Sequence, residues 1–358
     1  MQLPAHGANP KQLYDALNIE IKSPLIDFSE NTNPYGIPSF LTKQWEKLQP
    51  LIGQYPEPHS ETIVQVLAQK HQVKKEHIIV GNGATQCIYL LAHFLQRKRV
   101  LIVEPTFTEY KKALRLYGCD VKTVTLREED EFSCSFEELK KEAQHVDAIF
   151  ICYPNNPTGV LYERTELIQF LKTMNEQKKY VILDEAFIDF VMKDASIIPM
   201  IHSFDSVIVL RSLTKIFHLA GVRIGYIVSC NQETIEGIKK WQEPWSVNKI
   251  AQQLGILCLN KEEFIDGVKK KIAKERESMF SFFKEYNIPF IQSETNYYLM
   301  KAPIGKSTNE LFFYLLNEGI VPRHTYNFQG LDGEYIRLAV KRKEENERLK
   351  QALRSFLT

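Results

Sequence analysis

No apolar run in this sequence reaches the ~20 residues of a bilayer-spanning helix. The opening residues, Met1-Gln2-Leu3-Pro4, have neither the basic nor the apolar region of a secretory signal. Both absences lead us to expect a cytoplasmic protein with no membrane partner. An excess of charge of one sign is missing too. Lys and Arg number 45 against 44 Asp and Glu, a formal balance of +1, so there is no electrostatic case for a nucleic-acid partner. Cysteine is sparse: Cys87, Cys119, Cys134, Cys152, Cys230 and Cys258 are scattered with no C-x-x-C spacing. Several lie inside apolar segments, so buried reduced thiols are expected in place of disulfides or a zinc site, and no metal is predicted. Repeats and low-complexity tracts are absent. What remains is a 358-residue chain, 44% hydrophobic, with enough material for a large core and a second lobe.

Short apolar runs alternate with amphipathic helical stretches. Strands are predicted at Ile78-Ile79-Val80, Val100 to Val103, Ala148 to Ile151, Val181-Ile182-Leu183 and Val207 to Leu210. Helices are predicted between them, over Thr85 to Leu95, Phe107 to Leu116 and Thr165 to Asn175. Apolar runs without polar alternation suit strands covered on both faces, with the helices as crossovers. This is an α/β pattern with a mainly parallel sheet. After about residue 260 the pattern changes. A long charged helix over Glu262 to Tyr286 precedes short strands near Pro289-Phe290-Ile291, at Tyr297 to Met300 and at Tyr335 to Val340, with helices from Thr308 and Glu344. We therefore expect a large α/β domain over 44–261 and a small α+β domain made of 1–43 plus 262–358.

The chemistry collects at the predicted strand ends, where open α/β sheets bind ligands. After Val207 to Leu210 comes Arg211-Ser212-Leu213-Thr214-Lys215, with Arg223 eight residues further on. A lysine at the end of a buried strand is desolvated, which lowers its pKa and suits it to imine formation with a carbonyl. Ser212 and Arg223 can hold a phosphate. After Ile78 to Val80 comes Gly81-Asn82-Gly83-Ala84-Thr85. Its glycines permit a tight turn, and the amides of Ala84 and Thr85 face an anion at a helix start. Phe107, or else Tyr110, can lie against a planar ring. In Asn155-Asn156-Pro157-Thr158-Gly159 a rigid turn aims the Asn156 amide. Asp184 ends a buried strand and needs a cationic partner or strong donors. One amine, one carboxylate, one aromatic face, one amide and a phosphate cup together match pyridoxal 5′-phosphate. Taken singly, each of these residues also reads as an ordinary turn, cap or core residue.

In this arrangement the chain resembles the fold type I pyridoxal-phosphate enzymes, in the branch shared by histidinol-phosphate aminotransferases and threonine-phosphate decarboxylases. The resemblance runs from His6 to the final helix. It implies a large domain with a mainly parallel seven-stranded sheet plus a smaller α+β domain. It also implies that Lys215 carries the cofactor and Asp184 partners the ring nitrogen. Asn156 would bind the ring oxygen, and Gly83, Ala84, Thr85, Ser212 and Arg223 would form the phosphate cup, with Phe107 on the ring face. Tyr55, in Gln54-Tyr55-Pro56-Glu57-Pro58, resembles the tyrosine that reaches the phosphate of a neighbouring subunit, which implies a homodimer with shared sites.

Substrate-side residues separate the two activities. Arg337, in Tyr335-Ile336-Arg337-Leu338, is implied as the clamp for the substrate carboxylate, with Asn156 beside it. His6-Gly7-Ala8-Asn9 is similar to the His-Gly-Gly-Asn opening of the decarboxylases, which folds over the substrate, although Ala8 replaces the second glycine. Asn33, in Ser29-Glu30-Asn31-Thr32-Asn33-Pro34, is expected at the substrate with His6 and Asn9. Asp184-Glu185-Ala186-Phe187 and Glu243-Pro244-Trp245-Ser246 also match the decarboxylase form, where aminotransferases usually place a tyrosine at the Phe187 position. Arg323 is the implied phosphate ligand, followed by His324 where the family commonly has an aspartate. The expectation is a decarboxylase of a small phospho-amino acid, L-threonine O-3-phosphate first, acting in cobalamin assembly. A histidinol-phosphate-type aminotransferase is the runner-up, and a catalytically silent binding protein the third reading.

Overall fold

The computed structural model describes residues 3–357. Twelve strands form three sheets among these residues. In chain order they are β1 (Ile26–Asp27), β2 (Ile78–Gly81), β3 (Arg99–Glu104), β4 (Asp120–Thr125), β5 (Ala148–Cys152) and β6 (Tyr180–Asp184). β7 (Val207–Ser212), β8 (Gly225–Val228), β9 (Tyr297–Met300), β10 (Ile320–Val321), β11 (Arg323–His324) and β12 (Ile336–Ala339) follow.

The large sheet has seven strands in the order β2-β8-β7-β6-β5-β3-β4. Strands β3 to β7 pair in parallel, and β8 runs antiparallel between β2 and β7. Its central strands are buried on both faces because successive residues point to opposite layers. Ile149, Ile151, Val181, Leu183, Val207 and Val209 join a core that includes Leu167, Phe170 and Leu171 of the helix Arg164–Glu176. Ala148, Phe150, Cys152, Ile182, Ile208 and Leu210 join a second core with the helices Gly83–Phe94 and Glu109–Leu116. Each fully buried aliphatic side chain contributes about 1.5–3 kcal/mol, which is why these runs lack polar alternation. The edge strand β4, Asp-Val-Lys-Thr-Val-Thr, is mostly polar and has no fully buried residue. Strand order reverses about β3, which lies between β4 and β5, so a crevice opens at the carboxyl ends beside it.

The second structural centre is the antiparallel sheet β11-β12-β9. Pairing of β11 with β12 sets Arg323 directly opposite Arg337. The short pair β1–β10 ties the N-terminal segment to this sheet and delivers residues Ser29 to Thr32 to the crevice. The helix Glu262–Glu285 runs the full length expected. Pro289 to Ile291 is not a strand: only Phe290 bridges to Met300.

Candidate active site

The carboxyl ends of β3, β5, β6 and β7 meet the β11–β12 edge around a cavity of about 230 Å3. Lys215 lies just past β7, and its Nζ donates to Asn31 Oδ1 at 3.4 Å. Burial, then the nearby guanidiniums of Arg337 and Arg223, bring its pKa down from 10.5 to about 8. Phe187 covers the amine, with its ring centroid 5.5 Å from Nζ.

Asp184, the last residue of β6, is 5% exposed and has no cationic side chain bonded to it. Tyr110 Oη donates to Oδ2 at 2.5 Å and the Ala186 amide donates to Oδ1 at 2.9 Å. Burial raises its pKa, while these two donors and Lys215 act against the rise. A buried carboxylate held by neutral donors alone has room for a cation, and a pyridinium N–H supplies one.

The helix Gly83–Phe94 starts at the cavity, and Asn82 gives it no side-chain cap. Its first amides are therefore open to an anion. Ala84, Thr85, Ser212 and Arg223 all line the cavity there. Gly83 does not line it but makes the cup possible: a Cβ on Gly83 would lie 2.6 Å from Arg223 Nη2, and its φ is +76°. Thr214 joins Ser212 through a 2.8 Å hydroxyl contact and lines the cavity as well. Phe107 lies on the cavity wall. Its alternative, Tyr110, is committed edge-on behind it with its hydroxyl on Asp184.

Arg337 Nη1 donates to Asn156 Oδ1 at 2.6 Å and Nη2 to the Ser29 carbonyl at 2.8 Å. Its Nε is buried without a partner. Arg323 donates to the carbonyls of His324 (2.8 Å) and Ala5 (2.6 Å) and to Asn327 Oδ1 (2.7 Å). Neither guanidinium has a carboxylate in contact among the described residues. Burial brings Arg337 down to about 10, and burial with the repulsion of Arg337 brings Arg323 down to about 9. Two like charges facing across adjacent strands repel. Such a pair is unfavourable in the free protein and becomes favourable when anionic groups bind between or beside them.

Two expected substrate residues are elsewhere. Asn33 is fully buried, and its Nδ2 donates to the Ile216 carbonyl at 3.0 Å while Oδ1 accepts from the Tyr35 amide at 2.9 Å. Its side chain is consumed in bracing the Lys215 loop, and Asn31 takes the place at the cavity. Asn9 is an exposed helix cap whose Oδ1 accepts from the Gln12 amide. His6 does line the cavity, bonded to Glu109 Oε1 at 2.9 Å. His324 binds the Pro4 carbonyl at 2.9 Å and so anchors the N-terminal segment. Tyr55 is 85% exposed and away from this chain's own cavity. Asn31 and Thr214 are the residues that strand-end reading left out, and Tyr110 enters it only as an alternative ring-stacking residue, without its bond to Asp184. Only the position of Asn31 two residues from Asn33 could have pointed to it.

A family model, aminotransferase class I and II, matches residues 23–353. The chain belongs to this family. Across 355 residues it is 33% identical to the threonine-phosphate decarboxylase of Salmonella typhimurium, covering 99% of this chain and 97% of that one. It is also 33% identical over 330 residues to the histidinol-phosphate aminotransferase of Pyrococcus furiosus, with 92% and 91% covered. The solved structure of the histidinol-phosphate aminotransferase from Clostridium acetobutylicum superposes with a TM-score of 0.87 at 30% identity, over 93% of this chain and 99% of that chain. The family establishes the fold type I architecture and an enzyme whose cofactor is pyridoxal 5′-phosphate. The cavity fits that group: it offers an amine with a lowered pKa, a carboxylate lacking its cation, and an uncapped helix start beside the Arg223 guanidinium, which bonds the Ala220 carbonyl at 3.1 Å and has no carboxylate in contact among the described residues.

Among the described residues no helix is long and apolar enough to cross a membrane.

Proposed function

We propose that this enzyme decarboxylates a small O-phospho-amino acid, L-threonine O-3-phosphate in the first instance, to (R)-1-amino-2-propanol phosphate. The observation that carries the reading is the cross-strand pair Arg323–Arg337, two buried guanidiniums without carboxylate partners at the mouth of the Lys215 cavity. A ligand with a carboxylate and a phosphate a few bonds apart satisfies both. Phe187, which places no hydroxyl at the cavity, agrees with the decarboxylase form, as does the N-terminal segment held over the site by Arg323, His324 and Glu109.

The cofactor would be held by Lys215 at its aldehyde carbon, Asp184 at its ring nitrogen and Asn156 Nδ2 at its ring oxygen. Phe107 would cover its face, and Ala84, Thr85, Ser212 and Arg223 would take its phosphate. When bound, it supplies an electrophilic carbon for the substrate amine and a protonated ring that accepts the electron pair released at Cα. Arg337 would bind the substrate carboxylate and Arg323 the phosphate. Fixing both ends of the substrate would restrict which Cα bond is presented for cleavage. Lys215, with a pKa of about 8, exists in both protonation states near neutrality and delivers the proton to Cα. Phe187 and the N-terminal segment exclude water around that amine. Tyr55 of a second copy would close the phosphate cup, making a homodimer the working unit. The division into a cofactor-binding unit over 44–261 and a covering unit of 1–43 plus 262–358 belongs to the same proposal.

The test is incubation with L-threonine phosphate and quantification of carbon dioxide without any keto-acid. Release supports the proposal. Glutamate-dependent conversion of histidinol phosphate without carbon dioxide overturns it in favour of an aminotransferase, the activity named for relatives equally similar in sequence. Failure of borohydride to fix the cofactor on Lys215 would leave a silent binding protein.

A further inference from the structure

One buried phenol at the cavity wall has no part in the mechanism above. Tyr110 sits in the first turn of the helix Glu109–Leu116, with 1% of its surface exposed. Its ring lies edge-on to Phe107 at 5.8 Å and tilted against Phe150 at 5.3 Å. Its hydroxyl bonds Asp184 Oδ2 at 2.5 Å, and the only other donor to that carboxylate among the described residues is the Ala186 amide. The phenol keeps its own proton, because burial and the adjacent carboxylate both push its pKa well above the ordinary value.

We propose that Tyr110 is a positioning residue that holds Asp184 as an aimed carboxylate, so that the proton between Asp184 and the cofactor stays on the ring nitrogen. The physical reason is a competition between two bases. A carboxylate in an apolar wall gains a proton readily, and each donor bonded to it makes it less basic. With both donors in place, the ring nitrogen is the better holder of the proton, which the electron-accepting role requires. With one donor removed, Asp184 becomes the more basic group and takes the proton. The ring is then neutral and a poor electron acceptor, although the carboxylate is still present. Because the phenol projects from the helix after β3 while Asp184 ends β6, the contact also fixes the carboxylate's orientation across two strands.

This inference rests on the role proposed for Asp184 but not on which reaction follows. The test uses the holoenzyme loaded with cofactor carrying 15N at the ring nitrogen, whose NMR shift reports the proton. Tyr110→Phe keeps the ring packing and removes only the donor. Its resonance should move towards the unprotonated position, corresponding to a change of about tenfold or more in the protonation ratio. Asp184→Asn, measured alongside, should move it as well. A shift in Asp184→Asn with none in Tyr110→Phe overturns the role of Tyr110 and leaves that of Asp184 standing. No shift in either overturns both. Should Tyr110→Phe fail to hold the cofactor, 3,5-difluorotyrosine at position 110 decides the matter, since it preserves shape and strengthens the donor. Its resonance should move further towards the protonated end, and movement the other way overturns the proposal.

Discussion

Replacing Arg337 by methionine distinguishes a guanidinium kept for a ligand from one kept for the fold. Burial brings its pKa from 12.5 to about 10, so the charged side chain is disfavoured in the folded protein by about 3 kcal/mol. The replacement gives up hydrogen bonds to Asn156 Oδ1 and the Ser29 carbonyl, together worth about 2–4 kcal/mol. It also relieves the repulsion of Arg323 across the β11–β12 pair. The opposing effects nearly cancel, so unfolding free energy should change by no more than about 1 kcal/mol. The effect on turnover has no such compensation. Losing a buried bidentate contact to a substrate carboxylate costs about 3–5 kcal/mol, or about 10²–10⁴-fold in kcat/KM. Chemical denaturation and steady-state kinetics on the same preparation give both quantities. A variant that loses several kcal/mol of stability while keeping its kcat/KM would refute the reasoning and make Arg337 a structural residue.

Gly83→Ala should cost about 1 kcal/mol of stability from the positive φ but weaken cofactor binding at least about tenfold, because the new methyl displaces the Arg223 guanidinium; titration of apoenzyme with pyridoxal 5′-phosphate reads this, and unchanged affinity would remove Arg223 from the cup. The Lys215 amine predicts an unusual pH response in the cofactor-free protein. Its folded pKa, about 8, lies below the ordinary 10.5, so between those values the unfolded chain binds more protons and stability rises with pH. Relative to Lys215→Met, the cofactor-free wild type should gain about 3 kcal/mol over that window. Parallel denaturation curves at its two ends would show this, and identical curves for the two proteins would place the amine in solvent.

The uninterrupted apolar strands were legible in the sequence because their residues face buried layers on both sides. The edge strand β4, with only two valines among four polar residues, has no such run, and the antiparallel β8, Gly-Tyr-Ile-Val, is apolar and buried but too short and too close to the Lys215 segment to be separated from it by pattern alone. Functional residues at strand ends, such as Asp184 and Lys215, could be anticipated because parallel strands bring their carboxyl ends to one side. Residues on irregular segments could not be ranked in the same way. Whether Asn31 or Asn33 reaches the cavity depends on backbone contacts with Lys215 and Ile216, more than 180 positions away. Phe107 and Tyr110 raise a similar ambiguity. Both are aromatic and near a helix start, and the hydroxyl contact to Asp184 sorts them only once β6 is in place.

The carbonyl oxygens of Pro4 and Ala5 sit on His324 and Arg323, so the amino-terminal tail doubles as part of the ligand pocket's roof. Ala5, His6, Gly7 and Ala8 all face the Lys215 cavity, so altering this short segment changes the cavity's outer wall without touching the strands that build its floor. The helix Lys343–Leu357, by contrast, lines no part of that cavity.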